Sequence, residues 1–136
     1  MPGAVLRVSG SKIGVTQFLA KSSWKPTAVF WKGEPRFGSS TRVSTINGFN
    51  WSVSDADGSR LDLQIRDSKR FLVREKHEIR RLSRLKLHAT LDFGVEAPGD
   101  VFARFYRFDA GLLSCLAKAK IDLELSHYVA GKGDDV

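Results

Sequence analysis

The stretch LHATLDFGV, Leu87 to Val95, alternates apolar and polar residues without a break. Leu87, Ala89, Leu91, Phe93 and Val95 fall on one side, and His88, Thr90 and Asp92 on the other. A period of two is the signature of a strand with one face covered and the other in water. Such strands belong to antiparallel or mixed sheets, because an all-parallel sheet is covered on both faces and reads as a continuous apolar run.

Two other segments share the pattern. In FNWSV, Phe49, Trp51 and Val53 face one way and Asn50 and Ser52 the other. In IDLELSHYV, Ile121, Leu123 and Leu125 point in, while Asp122, Glu124, Ser126 and Tyr128 point out. Weaker strands are read at AVLRVSG (4–10) and TAVFWK (27–32). The covering layer is then helical. Residues 11–22 set Val15, Phe18 and Leu19 at helical spacing behind a Gly10-Ser11 start. Residues 60–86 carry Leu61, Ile65, Leu72, Ile79 and Leu82 on one stripe, interrupted by Ser68 and Glu75. A single rod over this segment would span about 39 Å, roughly the diameter of a domain of this size. A break between 67 and 75 is therefore expected, and LDLQI at the start also reads as a short strand. Asp109 caps a last helix, running to about Ala119, that buries Leu112, Leu113 and Leu116.

The order is strand, helix, strand, strand, helix or helix pair, strand, helix, strand. Its first six elements match a ferredoxin-like β-α-β-β-α-β unit. The expected fold is an α+β two-layer sandwich: a ferredoxin-like core, an added C-terminal helix and strand, and helices on one sheet face. No repeat, low-complexity tract or linker divides residues 1–130, which read as one domain, and GKGDDV at 131–136 reads as a frayed tail.

A chain of 136 residues with a single cysteine, Cys115, has no intrachain disulfide and fits a reducing compartment. No apolar run reaches the length of a membrane-spanning helix, and MPGAVLRVSGSKIG lacks the pattern of a signal peptide. The expectation is a cytoplasmic protein with no membrane partner. The net charge of +7 is concentrated: residues 60–86 hold ten Lys and Arg against four acids, whereas residues 87–136 hold five against eight. The helical segment is basic and the last third mildly acidic.

All three tryptophans lie between Trp24 and Trp51, around the turn in VFWKGEPRFG, Val29 to Gly38. Trp51 reads as core from its alternation, and Trp31 as packing at the core edge beside the Gly33-Glu34-Pro35 turn. Trp24 and Phe37 are left open, as either packed or forming an exposed patch.

WKGEP around Trp31, NGFNWSV with Trp51, and the ending FDAGLLSCLAKAKIDLELSHYV resemble the bacterial domain-of-unknown-function family 4279. The shared pattern is a Trp-x-x-Gly turn, a Trp-bearing strand, a helical region, an amphipathic strand, a leucine-rich helix and a strand ending in tyrosine, here Tyr128. The basic 60–86 segment exceeds what that pattern requires. The resemblance implies an α+β fold and a bacterial cytosolic origin, and it carries no established function.

Catalytic and metal signatures are not found. His77, His88 and His127 form no H-x-x-x-H pair and have no cysteine cluster near them, as a zinc site would need. SDADG (54–58) lacks the glycine and glutamate positions of a calcium loop and reads as a turn. No nucleophile elbow or phosphate-cradling glycine loop occurs, and Cys115 reads as a small buried hydrophobe. No cofactor, metal or catalytic residue is expected.

Two surfaces remain. If the last strand pairs with the 87–95 strand, His88, Asp92, Asp122 and Glu124 approach one another on the polar sheet face, with Tyr128 its one aromatic. Two carboxylates and a histidine are acid/base groups, but a flat solvated face gives them no desolvation. The outer side of the basic segment offers Arg70, Arg74, Arg81 and Arg84 to phosphates. No exposed aromatic platform is expected beside them, and base stacking on the sheet in the RRM manner is disfavoured because its aromatics point inward. The reading is a non-enzymatic module that binds another protein or a second copy of itself. The alternative is low-specificity nucleic-acid binding through 60–86.

Overall fold

The alternating segments all become strands. In the computed structural model, which describes residues 3–35, 42–99 and 102–130, β1 (Gly3–Gly10), α1 (Lys12–Lys21), β2 (Ala28–Phe30) and β3 (Asn47–Ser54) come first. They are followed by α2 (Leu61–Arg74), α3 (Lys76–Arg84), β4 (His88–Pro98), α4 (Ala110–Lys118) and β5 (Ile121–Ala130). The strands form one mixed sheet in the order β2-β3-β1-β4-β5. Every pair is antiparallel except β4 with β5. That last pair is parallel because its connection runs through α4, the crossover that parallel neighbours require.

Register places the apolar halves of the strands together. Leu6 lies between Trp51 and Leu91, and Val8 between Phe49 and Ala89. Against this face pack Val15 and Phe18 of α1, Ile65, Phe71 and Leu72 of α2, Ile79 and Leu82 of α3, and Leu112 and Leu116 of α4, all buried. Burying such side chains stabilises the fold by roughly 1.5–3 kcal/mol each. Helix starts follow the capping rules: the Ser11 hydroxyl accepts from the Gly14 N–H at 3.0 Å, and the Asp109 carboxylate from the Leu112 N–H at 2.9 Å.

The basic segment is two helices, broken at Glu75, and LDLQI belongs to the first of them. Ser68, read as an interruption of the stripe, completes it instead. It is fully buried, and its hydroxyl donates to the Gln64 carbonyl 2.7 Å away, so the buried hydroxyl is paired. Glu75 accepts the indole N–H of Trp24 at 2.6 Å. Trp24 is thereby buried in the core and stacks on Trp51, ring centroids 5.4 Å apart. Trp24 is therefore not part of an exposed patch, and Phe37 lies outside the described residues, as does the 131–136 segment.

Three burial expectations are corrected, and one is Leu125, expected to point in but 37% exposed on the edge strand β5. Trp51 is only half-buried, covering the core with one face while its strand nears the sheet margin. Leu113 is 47% exposed: Leu112 and Leu116 are one turn apart and point in, and the next residue rotates outward by about 100°. Among the described residues no helix is long and apolar enough to cross a membrane.

Candidate functional site

Among the described residues no helix lies over the polar sheet face, and register decides which of its groups meet. Asp92 sits beside Glu124 on β5 and opposite Val5 on β1, while Thr90 sits beside Asp122 and opposite Arg7. Arg7 grips Asp92, with Nη2 2.8 Å and Nε 3.2 Å from the same carboxylate oxygen. Its Nε also lies 3.9 Å from Glu124. The Ser126 hydroxyl donates to Asp92 from 2.8 Å. Asp92 is consequently only 4% exposed on a face that is otherwise wet. His88 Nε2 lies 3.3 Å from Asp122 and 3.2 Å from the Thr90 hydroxyl, with the His88 and Asp122 side chains exposed.

The four expected groups thus separate into two clusters. Asp92 and Glu124 gather around Arg7, and His88 pairs with Asp122 at the neighbouring position. Tyr128 stands apart, beside Glu96 and half in water. The depression beside Arg7, His88, Thr90 and Glu124 measures about 150 Å³, below the several hundred Å³ of ordinary ligand sites. Asp92, the one shielded carboxylate, has its oxygens occupied by a guanidinium and a hydroxyl. Among the described residues no three His, Cys, Asp or Glu side chains converge as a metal site would need. Sequence reasoning missed Arg7 and Ser126, although both stand on polar positions of their strands.

β5 closes the sheet on this side. Among the described residues no strand or loop backbone pairs with its outer edge. Its ten residues, IDLELSHYVA, contain no lysine, arginine or proline, which commonly blunt a sheet edge, and carry two acids, Asp122 and Glu124. Leu125, Tyr128 and Val129 are exposed along it. The opposite edge, β2, has three residues.

The four arginines of the basic segment do not form one surface. Arg81 is a clamp between α3 and α1: it pairs with Glu78 at 3.0 Å, donates to the Phe18 carbonyl at 3.3 Å and covers the Phe18 ring at 4.8 Å. Arg74 leans on Glu75 at 3.4 Å, and Arg84 is exposed beside α1. Arg70 turns the other way, into a cleft of about 770 Å³ between α2 and the 102–109 segment. That segment is anchored by Phe108 against Phe93, ring centroids 5.2 Å apart, and by Asp109, which pairs with Lys69 at 2.9 Å. The Lys69 hydrogen bond, with the Leu112 N–H behind it, holds the Asp109 carboxyl below its ordinary range.

Phe102 and Phe105 point into water, Phe105 92% exposed. Exposing each forgoes about 1.5–3 kcal/mol of burial. Phe105 and Arg70 line the same cleft, so the expectation that no exposed aromatic accompanies the basic segment is overturned. The interleaving of aromatic and basic residues in FARFYRF (102–108) was a readable signal that sequence reasoning passed over.

Comparison of the chain with protein-family models, with curated proteins and with solved structures finds no significant match in any of the three.

Proposed function

We propose that this chain is a non-enzymatic association module that pairs with a second copy of itself through β5. The observation that carries this reading is the unblunted ten-residue edge. Unpaired N–H and C=O groups along an exposed strand are a template for another strand. The acids on β5 do not block it, because Asp122 lies against His88 and Glu124 against Arg7 within the same sheet.

Antiparallel pairing about a twofold axis at Leu125 suits these residues. It sets Ile121 against Val129 of the second copy, Asp122 against Tyr128 and Glu124 against Ser126, with Leu125 meeting its own copy. Ile121 and Leu125 then face apolar residues, Leu123 faces His127, and no like charges stand opposite each other, which is the requirement for cross-strand pairs. An axis at Glu124 would oppose two carboxylates. Isologous contact of this kind closes at two copies.

The strand directions support the ferredoxin-like part of the reading. Within β2-β3-β1-β4 each neighbour is antiparallel, and both helical connections, α1 and the α2–α3 pair, cross over one intervening strand, the arrangement of a split β-α-β unit. The motifs that resemble family 4279 serve packing here: Trp51 and Trp31 rest on the core, and Leu112 and Leu116 are buried. Asp92, the one shielded carboxylate of this face, has its oxygens engaged by Arg7 and Ser126, which supports the non-enzymatic reading.

Sedimentation equilibrium of the full chain tests the proposal. A reversible monomer–dimer equilibrium is expected, shifted to monomer by Val129→Lys and by Leu125→Lys, which sets two lysines opposite each other, with circular dichroism unchanged. A monomer at the highest soluble concentration, or a dimer indifferent to both substitutions, overturns it.

A further inference from the structure

The cleft between α2 and the 102–109 segment has a chemistry that the β5 edge does not use. Arg66, Lys69 and Arg70 occupy one face of α2 at i, i+3 and i+4, and Arg104 and Arg107 face them from the segment. Two of these five cations are neutralised locally, Lys69 by Asp109 at 2.9 Å and Arg66 by Asp67 at 3.0 Å. Asp62, on the same wall, is held by Arg60 at 3.0 Å. Arg70, Arg104 and Arg107 have no ion-pair partner among the described residues, and all three are exposed. Phe105 stands among them, with Phe102 three residues earlier, also fully exposed.

The segment is built to hold these groups outward. Phe108 is packed on Phe93, and Tyr106 lies 6.0 Å from the His127 ring, so alternate side chains point in. Phe105 and Arg107, on either side of Tyr106, are directed away from the core. Asp109 fixes the far end twice, to Lys69 and to the first turn of α4. A binding surface fixed in this way loses little entropy when it is occupied.

We propose that this cleft binds single-stranded nucleic acid, with Arg70, Arg104 and Arg107 on phosphates and Phe105 stacking on a base. The lining holds five cations against three acids, Asp62, Glu96 and Asp109; this excess favours a polyanion, and bases need exposed aromatic faces. A duplex keeps its bases stacked inside and would leave Phe105 in water. An acidic peptide supplies charge but no planar rings to lie on it. Recognition is sequence-tolerant, since every base has a π face.

The test is fluorescence anisotropy of the full chain with a labelled oligothymidylate, a duplex of the same length and a polyglutamate peptide, over a range of salt concentrations. Tightest binding to the single strand is expected. Three phosphate contacts predict a slope of log K against log salt near about −2, falling in size by about 0.7 for each arginine lost in Arg104→Ala or Arg107→Ala. Phe105→Ala should weaken binding about five- to a hundredfold while leaving the slope unchanged, because it removes stacking and no charge. Phe105 is exposed, so this variant retains the wild-type circular dichroism. Equal affinity for duplex and single strand, preference for polyglutamate, indifference to Phe105→Ala, or no saturable binding at low salt each overturns the proposal.

Discussion

Arg7 on β1 holds Asp92 on β4 with two nitrogens on one carboxylate oxygen, at 2.8 and 3.2 Å. Asp92 is 4% exposed and Arg7 half in water, on the polar sheet face. Removing one partner of such a pair leaves the other charge shielded and unmatched, which costs far more than the pair itself contributes. Arg7→Ala is therefore expected to destabilise the fold by about 1–3 kcal/mol. Arg7→Ala/Asp92→Asn should recover part of the loss. Urea unfolding of the three proteins decides it, and an Arg7→Ala variant with wild-type stability would show that Ser126 and water suffice for Asp92.

Trp24 and Trp51 stack at 5.4 Å with rings nearly parallel, yet they are not equivalent. Trp24 is buried and bonded to Glu75, whereas Trp51 is half-buried. Trp24→Ala should cost about 3–5 kcal/mol, and Trp51→Ala distinctly less. Denaturation midpoints in the reverse order would contradict the burial described.

Lys120 follows α4 with φ of 58°, its N–H bonded to the Ala117 carbonyl at 3.1 Å. Left-handed backbone costs a residue with a Cβ about 1–2 kcal/mol, and glycine escapes most of it. Glycine in turn loses up to about 1 kcal/mol through its freer unfolded chain. Lys120→Gly should raise stability by a few tenths to about 1 kcal/mol, read as a higher thermal midpoint. A lowered midpoint would mean that the lysine side chain makes a compensating contact.

Acid should loosen the wall of the basic cleft. The Lys69 hydrogen bond holds the Asp109 carboxyl below its ordinary value of 3.8, and the Ser54 hydroxyl followed by Arg66 does the same for Asp67. A carboxyl with a lowered folded value adds stability above its unfolded value and loses it as pH falls through the folded one. The thermal midpoint should therefore stay level through neutral pH and fall below about pH 4. Asp109→Asn, which still caps α4, should show a shallower fall on the acid side. Identical acid limbs would remove Asp109 from the account.

The sequence was sufficient for everything a residue's own backbone decides. Alternation named the covered face of β3, β4 and β5, Ser11 and Asp109 marked helix starts, and the length of 60–86 required a break. Which residue stands beside which across the sheet depends on pairing between segments far apart in the chain, and no local pattern contains it. Arg7 meets Asp92 across 85 positions. Trp24 is core because Glu75, 51 residues on, receives its N–H, and Ser68 is core because Gln64 satisfies its hydroxyl inside the helix. The edge position of β5 arises from the order of all five strands. Phe105 shows the same division. Its composition signal was local, but its exposure beside Arg70 exists only because Phe108 and Asp109 pin the segment across α2.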